Sequence, residues 1–492
     1  CTRCRKAITD IAVSVKKGEK NMKQHNISQR RYFWLICLIL LWMLAGFGVS
    51  AAEKKAIDVD SSIFGFKGVV LDDGSLWVWD YDDVYFSNPK KITDNVKQMD
   101  LGYRHGAAIK TDGSLWTWGY NLTGQLGNGS TFSNYDIFAS GNTLSKIMDD
   151  VVQVSCSIDT TAAVQADGSL WVWGSNTAGQ VGNGETSQEP VTSPVKIMGN
   201  VAKVQLTGSF GVALKKDGTM WIWGRDTISE DPGPTGWIDR LSPVQLLPDT
   251  LTDIKDFSMS SLYFGVIKTD GSLYTWGYNY AKGVVGYIPK EDEDYNLWND
   301  RDVETPRFLM GNIAKVYAAE SDTTSANMAA IDNNETLYMW GANSRGQLGQ
   351  GSTDTEAHYI PVSVLTGVDK FNITSGFCMA IRDDGTLWTW GTTQSNGVGS
   401  HQILTPTQMS LDFKETSTPS GNTPGGNGGN PNSGAAVAAP TQKISVAKVK
   451  GKPKLKLKKG KVKLTFKKVK GADGYEAVSY THLRAHETAA NR

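Results

Sequence analysis

The chain has 492 residues and no net charge, 50 Lys and Arg against 50 Asp and Glu, but the two signs are segregated. Residues 52–412 hold 25 Lys and Arg against 44 Asp and Glu, whereas residues 414–476 hold 14 Lys against 3 acidic residues. An acidic body repels a phosphate backbone, which excludes nucleic acid as its partner.

The first residue is Cys1, so residues 1–21 read as an upstream segment and Met22 as a start. A polar, basic stretch ends in Arg30-Arg31, an apolar run follows from Tyr32 to Phe47, and small residues close it at Ala51 and Ala52. This is the layout of a signal peptide over 22–51, cleaved at Ala51/Ala52. The run is short of the roughly 20 residues that span a bilayer, which favours a cleaved leader over a retained anchor. Export follows as the expectation. Cys156 and Cys378 then remain, in repeats that are not neighbours, and are expected to be free, buried thiols.

From residue 52 one phrase recurs seven times. Its clearest copy, Thr111 to Gly129, reads T-D-G-S-L-W-T-W-G-Y-N-L-T-G-Q-L-G-N-G. Asp112-Gly113 suits a two-residue hairpin turn with both central residues at φ > 0. Side chains alternate along the strand that follows, so Trp116 and Trp118 share one face. The second aromatic falls at Trp79, Trp118, Trp173, Trp223, Trp276, Trp340 and Trp390, spaced by 39, 55, 50, 53, 64 and 50 residues. The turn is Asp-Gly in six copies and Asn334-Glu335 in the other. Short strands and turns at a period near 50 predict an all-β, seven-bladed β-propeller over 52–413, with these seven aromatics as blade anchors. The ring is expected to be monomeric. It is also expected to close by a clasp, with a segment near Gln408–Leu411 lying in one sheet with a segment within Ala56–Trp79, because an open edge invites association.

The phrase resembles the repeat of the regulator of chromosome condensation family, D-G-x-[LV]-[WY]-x-W-G-x-N-x-x-G-Q-L-G-x-G followed by a proline-led strand. Asp112–Gly129, Asp167–Gly184 and Leu337–Gly351 match nearly throughout, and proline-led strands follow at Pro194, Pro243, Pro306, Pro361 and Pro406. Repeats one, four and five lack the Gln-Leu-Gly segment, so their outer loops are expected to be rebuilt. The resemblance implies the seven-bladed fold and, for secreted bacterial members, an interaction module at the cell surface. The founder's action on a nuclear GTPase and on chromatin does not carry over to an exported, acidic chain.

Three insertions lengthen the repeats, at Ser130–Ser145, Asp226–Leu241 and Tyr287–Thr305. Trp237, Asp292, Asp294, Tyr295, Trp298 and Asp300 form a candidate partner-binding set on them, since loops on a rigid scaffold carry function. Aromatics beside acids suit stacking on a sugar or holding Ca²⁺, although no D-x-D-x-D-G spacing is present; a solvated acidic loop is the plainer reading. No G-x-S-x-G, H-E-x-x-H or P-loop motif occurs, and the six His are scattered. No catalytic, cofactor or metal residue is therefore assigned.

Residues 414–443 form a Gly/Pro/Ser/Asn-rich linker. Within 444–477, alternation at Leu455/Leu457 and Val462/Leu464/Phe466 with Lys between predicts strands with one buried face. Gly471 to Tyr475 resembles a signature of bacterial fibronectin type III-like domains, of which only an incomplete sandwich is present. Residues 478–492 read as a translated sequencing adapter. Two functions are expected in order: a secreted, non-enzymatic scaffold binding protein or glycan at the cell surface, with Lys448–Lys470 on an anionic cell-envelope polymer, and an extracellular glycosidase or lyase. No cofactor is expected for the first.

Overall fold

The computed structural model describes residues 54–62, 66–79, 89–132, 144–226, 238–279, 283–286, 303–319, 326–374, 376–392, 402–413, 454–458 and 461–465. The chain divides into two compact units, residues 1–418 and 419–492. The first holds seven four-stranded sheets, each an antiparallel meander of consecutive strands. Blade one is β1 (Ala56–Ser61), β2 (Lys67–Leu71), β3 (Leu76–Trp79) and β4 (Lys90–Thr93). Blade two is β5 (Val96–Leu101), β6 (His105–Lys110), β7 (Leu115–Gly119) and β8 (Ser145–Met148). Blade three is β9 (Val151–Cys156), β10 (Thr160–Gln165), β11 (Leu170–Asn176) and β12 (Ser187–Met198). Blade four is β13 (Val201–Leu206), β14 (Phe210–Lys215), β15 (Met220–Asp226) and β16 (Ile238–Gln245). Blade five is β17 (Ile254–Met259), β18 (Tyr263–Lys268), β19 (Leu273–Gly277) and β20 (Val303–Met310). Blade six is β21 (Ile313–Ala318), β22 (Asn327–Asp332), β23 (Leu337–Gly341) and β24 (His358–Leu365). Blade seven is β25 (Val368–Thr374), β26 (Phe377–Arg382), β27 (Leu387–Thr392) and β28 (Gln402–Met409). The first strands contact one another in cyclic order, and β25 returns to β1. The seven-bladed, all-β propeller is the fold.

The turn phrase works differently from the two-residue hairpin expected of it. Gly113 alone is left-handed, at φ +84, and its N–H donates to the carbonyl of Lys110 at 2.9 Å. The Asp112 carboxylate accepts from the N–H and hydroxyl of Ser114 at 2.9 and 2.6 Å, and that hydroxyl accepts from Trp116 Nε1 at 2.8 Å. One hydrogen-bond chain thus explains why Asp, Gly, Ser and Trp recur together. It repeats at Asp73–Trp77, Asp217–Trp221 and Asp384–Trp388. Where the copy has Asn334-Glu335, Glu335 itself takes φ +60.

The second aromatics are the core. All seven anchors are buried, Trp276 being the most exposed at 2%. Space for them is made by glycines: a Cβ on Gly106 would stand 2.3 Å from the Trp118 ring, and one on Gly211 at 2.3 Å from Trp223. Four of the anchors, Trp173, Trp223, Trp340 and Trp390, are also held by the blade before them. Trp173 Nε1 donates to the Gln125 carbonyl at 2.9 Å, Trp223 to Gln180 at 2.9 Å and Trp390 to Gln347 at 2.8 Å. This is what the Gly-Gln-Leu-Gly segment does. Blade five keeps the device without the sequence: Val284 in Gly283–Gly286 accepts from Trp340 Nε1 at 2.6 Å. Its loop is therefore not rebuilt there. The corresponding loops of repeats one and four lie outside the described residues.

The expected clasp is not formed. β28 pairs with β27, and β1 to β4 make a complete sheet of their own, so the two chain ends share no sheet. Closure comes from packing. Leu411 and Phe413 enter a cluster with Val59, Val69, Trp77, Trp79, Met379 and Ile381, and the N–H of Ala56 donates to Gly385 O at 2.8 Å. Prolines 194, 243, 306, 361 and 406 all fall in the outermost strands, where a missing N–H costs no ladder bond. Cys156 and Cys378 are free and buried. In the second unit, β29 (Lys454–Lys458) and β30 (Lys461–Thr465) form one antiparallel hairpin.

Candidate functional site

Seven innermost strands enclose a cavity of about 430 Å³ on the ring axis. Each begins with an apolar residue (Ala56, Val96, Val151, Val201, Ile254, Ile313, Val368), and the residues two and four places on line the axis. The first ring so formed is Asp58, Gln98, Gln153, Lys203, Asp256, Lys315 and Lys370. The second is Asp60, Asp100, Ser155, Gln205, Ser258, Tyr317 and Asn372.

The second ring is a set of staples. Asp60 accepts from the N–H of Leu101 at 2.6 Å, Asp100 from Cys156 N–H, Ser155 Oγ from Leu206 N–H at 3.1 Å, Gln205 from Met259 N–H at 3.1 Å and Ser258 Oγ from Ala318 N–H at 3.0 Å. In every case the acceptor reaches the amide one place beyond the equivalent residue of the next blade. The first ring adds Met99 N–H to Asp58 at 2.9 Å, Val204 N–H to Gln153 at 2.9 Å and Lys203 Nζ to Asp256 at 2.6 Å. β1 closes the circle, because both its acids are also bonded from blade seven. Lys370 Nζ donates to Asp58 at 2.9 Å and Asn372 Nδ2 to Asp60 at 2.6 Å.

Burial sets the electrostatics. It pushes the Asp100 carboxyl up to about 7 and raises Asp60 well above the carboxylate range, with the Asp100 charge adding to the latter. Asp58 is raised by burial against the opposing pull of Lys370. Burial raises the Cys156 thiol strongly, helped by the charges of Asp100 and Asp60, and holds the His105 imidazole down to about 3. His105 is therefore neutral, with Nε2 on Thr161 Oγ1 at 3.0 Å, and serves as a wedge between blades. No group of three or more His, Cys, Asp or Glu among the described residues is arranged to hold a metal.

The two faces of the ring differ. In an antiparallel meander the first-to-second and third-to-fourth connections emerge on one face, here called the open face, and the remainder on the other. On the opposite face the turns bind one another: Thr111 N–H donates to Asn95 O at 2.8 Å and Val151 N–H to Gly113 O at 2.9 Å, a pattern repeated from blade to blade. Asn95, Asp150, Asn200, Asp253 and Asn312 take φ of 59 to 65° in these turns. Trp237, Asp292, Asp294, Tyr295, Trp298 and Asp300 lie outside the described residues, as do Ala51 and Ala52. The strands on either side, β15/β16 and β19/β20, nevertheless make both insertions third-to-fourth connections, and β7/β8 do the same for the insertion of blade two. At all three the chain leaves and re-enters the described strands on the open face.

Fold and axis thus define a repeat propeller whose polar interior is spent on joining blades. Residues 112–164, 167–214 and 334–378 match the regulator of chromosome condensation (RCC1) repeat, and a second model of that repeat matches 96–125 and 151–180. The chain is thus a seven-bladed propeller that carries stretches similar to the RCC1 repeat within residues 96–214 and 334–378. Human E3 ubiquitin-protein ligase HERC2 is 27% identical over 141 residues, 28% of this chain but 3% of HERC2, so the chain spans a small fraction of that relative. The ultraviolet-B receptor UVR8 of Arabidopsis thaliana is 26% identical over 308 residues, 61% of this chain and 66% of UVR8. Among solved structures, human WBSCR16 superposes with a TM-score of 0.53 at 20% identity, covering 66% of this chain and 86% of that one. Prp20p from Saccharomyces cerevisiae gives 0.51 at 16% identity, over 65% and 80%. These likenesses concern the fold.

Proposed function

We propose that this chain is a non-enzymatic binding scaffold, exported to the cell surface, that engages protein or glycan partners through the open face of its ring. The observation that carries the reading is the asymmetry of the faces. All three long insertions emerge on one side, while the other is closed by turns bonded to each other. A rigid ring with its length variation on one face suits recognition. The non-catalytic reading is supported by the axial acids: Asp58, Asp60 and Asp100 each accept an amide of the next blade, whereas glycoside hydrolysis needs a carboxyl pair free to face a substrate. The crystal structure of Prp20p is described together with its binding properties to Gsp1p and histones, a precedent for protein binding on this architecture.

Export rests on the basic, apolar and small-residue succession ending at Ala51-Ala52. The full chain, displayed on glycan arrays and crosslinked on intact cells, should lose its captured partner when residues 227–237 and 287–302 are replaced by short Gly/Ser links. Its melting should stay within about 1 kcal/mol of the parent, since both replacements leave the described strands of the seven sheets intact. Capture that survives both replacements would remove these two insertions as the recognition elements.

The basic hairpin is proposed to hold the protein near an anionic envelope polymer. Its register sets Lys456 opposite Lys463 and Lys458 opposite Lys461, a concentration of positive charge that suits a polyanion. Co-sedimentation with poly(glycerol phosphate) should be strong in low salt and fall by about tenfold or more at 0.5 M salt, where exposed charges are screened. Replacing Lys454, Lys456, Lys461 and Lys463 by Gln should abolish it. No binding in low salt would leave the lysines as a guard against edge pairing.

A further inference from the structure

β1 is the one innermost strand whose two axial residues are both acids, and each is bonded from both neighbouring blades. Beside it stands Asp100 of β5, bonded onward to blade three through the N–H of Cys156. The lysines of the axis are engaged elsewhere: Lys370 on Asp58, Lys203 on Asp256, Lys315 on Asp369. Asp60 therefore faces the charge of Asp100, and Asp100 that of Asp58, with neutral donors for the bonds of Asp60 and Asp100. The other titratable groups of this part of the cavity are Cys156, Tyr103 and, across the axis, Tyr317, while the charge of Asp58 acts on both carboxyls. We propose that Asp60 and Asp100 form a proton-operated latch, which draws blades one to three together in acid and loosens them once both carboxyls are ionised. The latch is a property of the axis and does not depend on which partner the open face takes.

Burial disfavours both charges, and the second carboxylate to ionise does so against the first. Both groups hold their protons more tightly folded than unfolded. Their stabilising contribution is thus fully present below the unfolded value of about 4 and is lost as pH rises through the folded one, about 7 for Asp100. The consequence is local. Leu101 leads directly into the connection at Gly102–Arg104 and Cys156 into that at Ser157–Asp159, both on the open face. Loosening the two staples frees the two connections that flank the cavity mouth.

The ring supplies its own control, because the staples onto Leu206 and Met259 use the neutral acceptors Ser155 and Gln205. Amide exchange of the full chain, corrected for intrinsic rates, is to be compared at pH 5.5 and 8.5. Protection at Leu101 and Cys156 should fall by about tenfold or more, one pKa unit being a factor of ten. Leu206 and Met259 should change less than about threefold. In Asp100→Asn the amide oxygen still accepts from Cys156, so the Cys156 change should vanish and that at Leu101 should shrink. Four amides falling in parallel, none falling, or an undiminished fall in Asp100→Asn would each overturn the latch. The wild-type comparison stands even where the variant folds poorly.

Discussion

Trp223→Ala should lower unfolding free energy by about 3–5 kcal/mol, the range for emptying the site of a large buried aromatic. Trp221→Ala, two residues away on β15, should cost only about 1 kcal/mol. The difference follows from which side of the blade each ring occupies. Trp223 is fully buried; its ring fills the space left by Gly211 and Gly182, and its Nε1 is bonded to Gln180 O at 2.9 Å in the preceding blade. Truncation opens a void that two glycines cannot refill and leaves a buried carbonyl short of its donor. Trp221 is half-buried, held by Thr219 at 3.1 Å with Lys215 Nζ 4.1 Å from its ring centre. Urea melts of the two variants decide the matter. Equal losses, at unchanged slope, would mean that the second aromatic is not the anchor of the blade.

The fold was legible because its anchors cannot be built from other residues. The second aromatic and the left-handed turn before its strand leave a trace in every repeat, and seven traces give seven blades. The axial staples left no such trace. Asp, Ser and Gln all reach the next blade's amide from the same position, so the geometry recurs while the residue type does not. What does recur is alternation, as in Val96-Lys-Gln-Met-Asp-Leu101 and Val201-Ala-Lys-Val-Gln-Leu206, where the two polar places before the last residue are the axial pair. The clasp was misjudged for a related reason. The fourth strand of blade one, Lys90–Thr93, is four residues long and holds no proline, so it did not announce itself as the outer strand that makes a sheet exchange unnecessary. Gly283–Gly286 escaped notice because Gln125, Gln180 and Gln347 accept through the main chain, and Val284 serves as well.

With no shared sheet, the seam between blades one and seven is expected to depend on the tail. The double substitution Leu411→Ala and Phe413→Ala in the full chain should lower stability by about 3–4 kcal/mol and promote aggregation, whereas ending the chain after Thr418 should leave the melt unchanged. Two kinds of contact compete to hold this seam. The axial one is the pair Lys370–Asp58, with the lysine side chain 38% exposed, and such pairs contribute little because solvent screens them. The apolar one is larger. Leu411 is 7% exposed, and the Phe413 ring lies 5.4 Å from Trp77 and 6.2 Å from Trp79, covering the anchor of blade one from the side of blade seven. At Trp173, Trp223, Trp340 and Trp390 a glycine loop of the preceding blade does that covering; here a segment beyond the last strand does it. Removing the two side chains exposes the faces of β1 and β26 to water, and the unpaired outer strands β4 and β28 then become free to meet other molecules. A double variant that melts with the parent would assign closure to the axial bonds, and Lys370→Met would then be the substitution that opens the ring.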